Sequence, residues 1–489
     1  MLTRIGAHAI VYGLGHAGGR LLLLLALPVV TTYLAPEEFG VVAIVMLIGA
    51  ALRSVFGLGL GVSTGIVHFE SDMPERRAAA IWSAAAVSWA SAGAMLASGA
   101  LAAPIIATLV FGESRLAGLI VLQILAAACM LAAEPLQLRL QFDGRAARFV
   151  ASTLGGGVIG VACGILLVAA GGYGVGGWIF GAALGAAATL VFSVVWGAPW
   201  PFRRPDAAAV ARLLALGWPL IPSALLLFVA VNLAPYFVAR LAGLAEAGIF
   251  AVGFQLGMGM TLATAAFTSA WYPMFQSYAT RAAEGSALFP RVAKAYLLAF
   301  GFATLLFFVL ADPVVAVLAD GEYAAGARVV GPIAASQYLL GFWSVLLPGM
   351  YFAGETRWVP LLQGATAAIA AGGHVVLVPR LGAEGAAYAV LAGALTLTLL
   401  QLALNRARRY AVDDCRAGDA LATLALLAGC IAADRLSAAT LAGGSRAASA
   451  MALLAVFATF GWVTLESDEK QAVRRKIADL SGRFSRGAT

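Results

Sequence analysis

Fourteen apolar stretches, each long enough to cross a bilayer, run from about Ala9 to Leu465 and leave little chain between them. A hydrocarbon core of ~30 Å takes roughly 20 apolar residues as a helix, and backbone groups in lipid must be satisfied inside the segment. The stretches cover about 9–33, 40–65, 80–110, 116–138, 149–170, 175–197, 213–239, 246–272, 293–318, 327–351, 358–378, 385–404, 419–434 and 447–465, numbered below as spans 1 to 14. Charged residues make up 11% of the chain and apolar ones 62%, so no connection can hold a soluble domain. The predicted fold is all-α and polytopic, with its work done within or across a membrane. Arg4 and His8 precede span 1 as they would a secretion signal, but the apolar run is too long for one and span 2 follows at once, so span 1 is expected to be retained.

Lys and Arg set the orientation. With the N-terminus taken as cytoplasmic, twenty-three of the 31 fall on inside segments, six on outside connections, and Arg20 and Arg53 within spans. That bias, alternating loop by loop, predicts an even number of spans and both termini in the cytoplasm. The net charge of +7 is thus a topology signal, and with no compact basic domain no nucleic-acid partner is expected. Cys129, Cys163, Cys415 and Cys430 show no close pairing, and the four histidines no ligand spacing. Neither a disulfide framework, a metal nor a cofactor is expected. Beyond Leu465, Val473, Ile477, Leu480 and Phe484 form one apolar helical face among Lys470, Arg474, Arg475, Lys476, Arg483 and Arg486. The tail reads either as a basic amphipathic helix on the cytoplasmic leaflet or as a solvated basic segment.

An internal repeat organises the rest. Pro28 to Ala35 ends span 1 as Pro235 to Ala242 ends span 7, at an offset of 207, and Glu38–Phe39–Gly40 matches Glu246–Ala247–Gly248 at 208. Phe142–Asp143–Gly144 matches Phe352–Ala353–Gly354 at 210, and Gly174–Val175–Gly176–Gly177 matches Gly382–Ala383–Glu384–Gly385 at 208. Four anchors at nearly one offset predict two copies of a six-helix bundle in the same orientation around a central cavity. The expected divisions are residues 1–204 and 205–412 as the two bundles, 413–465 as two additional helices on their flank, and 466–489 as the tail.

The run from Leu27 to Gly40 (LPVVTTYLAPEEFG), the Gly57–Gly61 stretch (GLGLG) and Phe352 to Thr356 (FAGET), set in this duplicated layout, resemble the bacterial polysaccharide export proteins. These are the Wzx-type O-antigen and exopolysaccharide flippases of the multidrug/oligosaccharidyl-lipid/polysaccharide exporter superfamily. The resemblance covers spans 1–12; where family members often carry a basic residue, this chain has Thr32 and Tyr33. It implies a non-enzymatic flippase in the bacterial inner membrane, moving oligosaccharide repeat units on undecaprenyl pyrophosphate from the cytoplasmic to the periplasmic leaflet by alternating access. The partners implied are that lipid-linked oligosaccharide, membrane lipids, and the polymerase and chain-length proteins of polysaccharide assembly.

Such a substrate needs fixed positive charge at depth and a polar cavity. Arg20 and Arg53 lie equally far in sequence from the turn joining spans 1 and 2, which puts both at one height, about 20 Å below the outer edge at ~1.5 Å per residue. An Arg in lipid costs at least ~2.5 kcal/mol, and its fork suits phosphate oxygens. They are the expected pyrophosphate ligands; the alternative is that they bond backbone carbonyls or pair with an acid such as Glu134. Tyr12 and His16 share the Arg20 face at spacings of four and are further candidates, against interface anchoring and simple packing. By the repeat, Arg20 corresponds to Leu227 and Arg53 to Thr261, so the second bundle offers neutral polar groups, of which Asn232 and Gln255 are the better candidates. The others, Thr261, Thr264, Thr268 and Gln337, read first as helix-packing groups. Pro28 and Pro235 are candidate hinges for spans 1 and 7. Glu134 and Asp434 are close enough to water to be boundary acids, and no coupling site is assigned.

Three other classes compete. A cation or drug antiporter of the same superfamily would place acids where this chain has arginines. A lipid-linked polymerase or ligase would carry a large reactive outward loop, and the outward connections here are short. A non-transporting membrane partner of a polysaccharide assembly complex shares all these features.

Overall fold

The computed structural model describes residues 2–278, 285, 288–410, 417–441, 444–464 and 470, with side chains from residue 18 on except those of 417 and 439. The basic tail, apart from residue 470, lies outside the described residues. Those residues are helical, with no strand among them. The first seven helices are α1 (Leu2–Tyr33), α2 (Pro36–Phe56), α3 (Leu60–Phe69), α4 (Pro74–Phe111), α5 (Ala117–Phe142), α6 (Ala146–Ile165) and α7 (Gly174–Gly197). There follow α8 (Ala207–Gly217), α9 (Ile221–Asn232), α10 (Ala234–Leu241), α11 (Leu244–Gly257) and α12 (Met260–Gln276). Later come α13 (Phe289–Val309), α14 (Ala327–Val345), α15 (Trp358–Arg408), α16 (Ala417–Thr440) and α17 (Gly444–Thr464).

Twelve helices among the described residues are long and apolar enough to cross a membrane. Of these α15 has 51 residues, ~75 Å of helix and more than twice a bilayer core. Gly382, at φ 57° and ψ −134°, breaks it into spans 11 and 12. With α1 as the first crossing, this accounts for the fourteen spans read from the sequence. Span 13, the shortest apolar run, is a helix of 24 residues.

Helices α1, α2 and α4–α7 pack on one another, and so do α9–α12 with α14 and α15. Helices α16 and α17 lie against α13. Span 10 is 89% buried over its central window and span 14 only 6%, so the former is core and the latter flank. Repeat anchors adopt matching backbones: Gly144 and Gly354 sit at φ 69° and 68°, Gly174 and Gly382 at 52° and 57°, left-handed conformations that glycine takes without steric cost.

Spans 2, 7 and 8 are broken. Leu58 (φ 51°) and Gly59 (φ 66°) separate α2 from α3, and a Cβ on Gly59 would collide with the Gly217 backbone. The GLGLG stretch therefore admits the start of span 7. Leu233 separates α9 from α10, with Pro235 in the first turn of α10, whereas α1 runs through Pro28. One expected hinge lies beside a break and the other within a continuous helix. Met258 and Gly259 interrupt span 8.

Contacts between residues before 198 and after 205, hereafter the two halves, gather at both ends. At the end bearing residues 34–38, Gly40 packs backbone-close against Leu244 and Gly248. There the Tyr323 hydroxyl donates to Leu34 O at 2.6 Å and Thr31 Oγ1 accepts from Asp320 N–H at 3.1 Å. Phe39 meets Tyr323 edge-on. At the arginine-rich end, α8 packs on α3 and α4. Arg212 donates twice to Glu70 Oε1 at 3.0 and 3.1 Å, and Asp206 N–H donates to Ser83.

Candidate functional site

A cavity of about 550 Å³ opens inside the first half, walled by α1, α2, α5, α6 and α7. Its size comes from missing side chains: Gly19, Gly49, Gly156, Gly157, Gly160 and Gly185 all line it. Helices α6 and α7 meet through glycines spaced by four. A Cβ on Gly181 would strike the Gly164 backbone, and one on Gly160 would lie 3.0 Å from Gly181 O. Close approach of this kind is how membrane helices gain packing energy without an apolar driving force.

Arg53 lines this cavity and is exposed, one turn before the span 2 break. Among the described residues, the other polar groups on the wall are Gln123, Thr153, Thr189 and the Trp178 indole. The two threonine hydroxyls are committed to helix carbonyls, Phe149 O and Gly185 O, each at 2.9 Å. Gln123 Oε1 is buried with no partner among the described residues. Arg53 thus supplies the cavity's fixed charge. Glu134 of α5 lies within its electrostatic reach, beside Gly61.

Arg20 is placed differently. Gly19 lines the cavity, but Arg20 turns toward the second half and donates through Nη1 to Thr261 Oγ1 and to Met258 O, the latter at 3.3 Å. Its partner Thr261 is the repeat counterpart of Arg53, and both acceptors lie at the span 8 break. The two arginines expected to act together line different surfaces: Arg20 follows the cavity-lining Gly19 by one residue, and side chains one residue apart on a helix diverge by about 100°. Gln255 joins Leu23, Met46 and Trp178 around a hollow of about 40 Å³. Those three also line the larger cavity, so Gln255 is the second half's contribution beside it. Asn232 is half-buried at the end of α9 and lines neither space. Tyr12 and His16 lie on the part of α1 whose side chains are outside the described residues.

Sequence reasoning missed Gln123, Thr153, Thr189 and Trp178. The signal was the glycine spacing at Gly156, Gly160 and Gly164 against Gly181 and Gly185, which marks spans 5 and 6 as a tightly packed pair with room beside it.

Residues 29–325 match the sequence profile of a family described as polysaccharide biosynthesis proteins. The chain belongs to this family. The matched region holds Arg53, Glu134, the span 8 break and the cavity walls apart from Gly19 and Leu23, and leaves out Arg20 and spans 10–14. No curated protein matches the sequence. Among solved structures, the fold is similar to that of the lipid II flippase MurJ in an inward closed conformation, at TM-score 0.70 and 11% identity over 93% of this chain and 99% of that one. It is also similar to an inward-facing multidrug resistance MATE transporter of the MOP superfamily, at TM-score 0.66 and 15% identity over 80% and 94%. A MOP superfamily transporter from Pyrococcus furiosus, whose binding pocket is described as reversed in polarity, aligns at TM-score 0.58 and 17% identity over 82% and 95%. This member of the polysaccharide biosynthesis family therefore has the fold of MOP superfamily transporters.

Proposed function

We propose that this protein is a flippase for oligosaccharide repeat units carried on undecaprenyl pyrophosphate, moving them from the cytoplasmic to the periplasmic leaflet of the bacterial inner membrane. The observation that carries the reading is Arg53 in a 550 Å³ cavity within a polysaccharide biosynthesis protein. That volume falls within the ~300–1,000 Å³ of small-molecule sites. A cation at this depth costs at least ~2.5 kcal/mol, which an anionic diphosphate offsets through paired hydrogen bonds. The sugars meet Gln123 and Gln255, and the lipid chain stays in the bilayer.

Residues 1–204 and 205–412 act as two lobes, with 413–465 as a flank open to lipid or to a polymerase or chain-length protein. The arginine-rich end faces the cytoplasm, with both termini. The periplasmic end is then the one closed by Gly40 and Gly248, and the lobes rock about it as span 7 bends at Pro235 and span 1 at Pro28. Arg20 holds α1 to the span 8 break until the lobes part, then offers a second cation to the diphosphate. A membrane potential, negative inside, drives the anion outward with ~2.3 kcal/mol per charge per 100 mV.

The test is the lipid-linked pool in cells lacking the protein. Pyrophosphate-linked oligosaccharide should accumulate on the cytoplasmic leaflet, be cleared by the wild type, and persist with well-expressed Arg53→Ala. No accumulation in a strain without a second flippase would overturn the reading.

A further inference from the structure

Between the Arg53 cavity and the arginine-rich end, α3 and α5 run side by side and enclose polar groups without a partner among the described residues. Gly61 of α3 abuts the Glu134 carboxylate, a Cβ there lying 2.9 Å from Oε1. Further along, Gly65 meets Phe142, and the His68 ring lies 4.9 Å from the Phe142 ring. Positions 61, 64, 65 and 68 share one helical face, as do 134, 137 and 141 on α5, so Thr64 and Gln137 belong to this seam. Thr64 Oγ1, Gln137 Nε2 and His68 Nδ1 are all buried without a partner among the described residues; Thr64 is 0% exposed and His68 4%. Buried polar atoms in native proteins nearly always bond protein or ordered water. Three orphans in one seam therefore mark a hydrated line, ~12 Å long from Glu134 to Phe142 at ~1.5 Å per residue.

The two ends of the line differ. At the deep end, Glu134 lies within electrostatic reach of Arg53 of α2 without a direct ion pair to it. At the other, His68 lies within reach of the charges of Arg77, Arg139 and Asp143. Asp143 is exposed and forms an ion pair with Arg139 Nε at 3.3 Å. Of the other charges near α3, Glu70 pairs with Arg212, Asp72 with Arg77 at 2.8 Å, and Arg145 with Asp143 at 3.6 Å.

We infer that Glu134 is the exchangeable counter-ion of the Arg53 cavity, and that the Thr64–Gln137–His68 seam is the water path by which its proton reaches the arginine-rich face. The inference rests on reading Arg53 as the anion site. Glu134 balances Arg53 while the cavity holds no anion. A diphosphate that takes the guanidinium leaves a buried carboxylate uncompensated, and a proton from water at the arginine-rich face then neutralises it: one O–H bond forms on Glu134 and hydronium becomes water. Anion binding and proton uptake are thereby linked.

The experiment titrates the full-length protein in nanodiscs with undecaprenyl pyrophosphate by calorimetry, in buffers of different ionisation enthalpy. The wild type should take up more protons per ligand than Glu134→Gln under identical conditions, so that the ligand's own protonation cancels. Its affinity should fall with rising pH by up to about tenfold per unit, while Glu134→Gln loses this component. Thr64→Val with Gln137→Leu should keep the stoichiometry and slow the uptake followed with a pH dye. Binding with equal proton uptake in wild type and Glu134→Gln overturns this inference alone. Absence of binding by the wild type overturns it together with the anion site.

Discussion

Gly40 and Gly248, 208 residues apart and equivalent in the internal repeat, face each other across the junction of the two halves. A Cβ on Gly40 would run into the Leu244 carbonyl, and one on Gly248 into the Pro36 carbonyl. Each residue meets the other copy's first helical turn, as a two-fold axis between repeats would require. Neither collision can be relieved by turning a side chain, because the obstacle is backbone in both cases.

Gly40→Val and Gly248→Val should therefore push α2 and α11 apart. Overpacking of this kind costs ~1–3 kcal/mol. Both variants should lower the unfolding midpoint, and a cysteine placed at Leu34, which is buried, should label faster with a membrane-impermeant maleimide. Unchanged labelling would mean that the contact does not hold this end closed.

Gly19 offers the opposite case. It lines the cavity, and a Cβ there meets nothing within 4 Å. Gly19→Trp should fill the cavity at little cost to folding. Wild-type expression and unfolding midpoint with transport abolished is the expected result; full transport would place the substrate elsewhere.

The Arg20–Thr261 bond predicts a pattern across a mutant cycle. Thr261→Val should be milder than Arg20→Ala, because Met258 O remains an acceptor. The double variant should fall short of the sum of the singles in its effect on the unfolding midpoint, with a coupling of ~0.5–3 kcal/mol. Strict additivity would remove the direct contact from consideration.

Tyr323→Phe deletes the hydroxyl that donates to Leu34 O while keeping the ring against Phe39. A loss of about 1 kcal/mol is expected. Cysteine labelling at Leu34 should rise, to a smaller extent than in Gly40→Val.

Hydropathy alone determined that this chain is an all-helical membrane protein, because a backbone in lipid has almost no other option. The repeat was equally legible: its glycines recur where left-handed φ is needed, at Gly144 and Gly354 and at Gly174 and Gly382. Arg53 as a cavity cation could be read from its depth, since an arginine in the membrane interior needs a polar surrounding. Depth says nothing about direction around a helix axis, so the sequence puts Arg20 at the height of Arg53 without deciding which surface it lines. Only tertiary packing turned it toward Thr261 and Met258. The cavity walls were hidden for a related reason. A void is made by side chains that are missing on several helices at once, and which glycines converge depends on how α6 and α7 cross. The GLGLG stretch could be seen as a motif, but its work, breaking span 2 so that Gly59 meets Gly217, depends on a partner about 160 residues away. Local pattern decides what each segment must be; the packing of segments distant in sequence decides which faces meet, and the site is made of those faces.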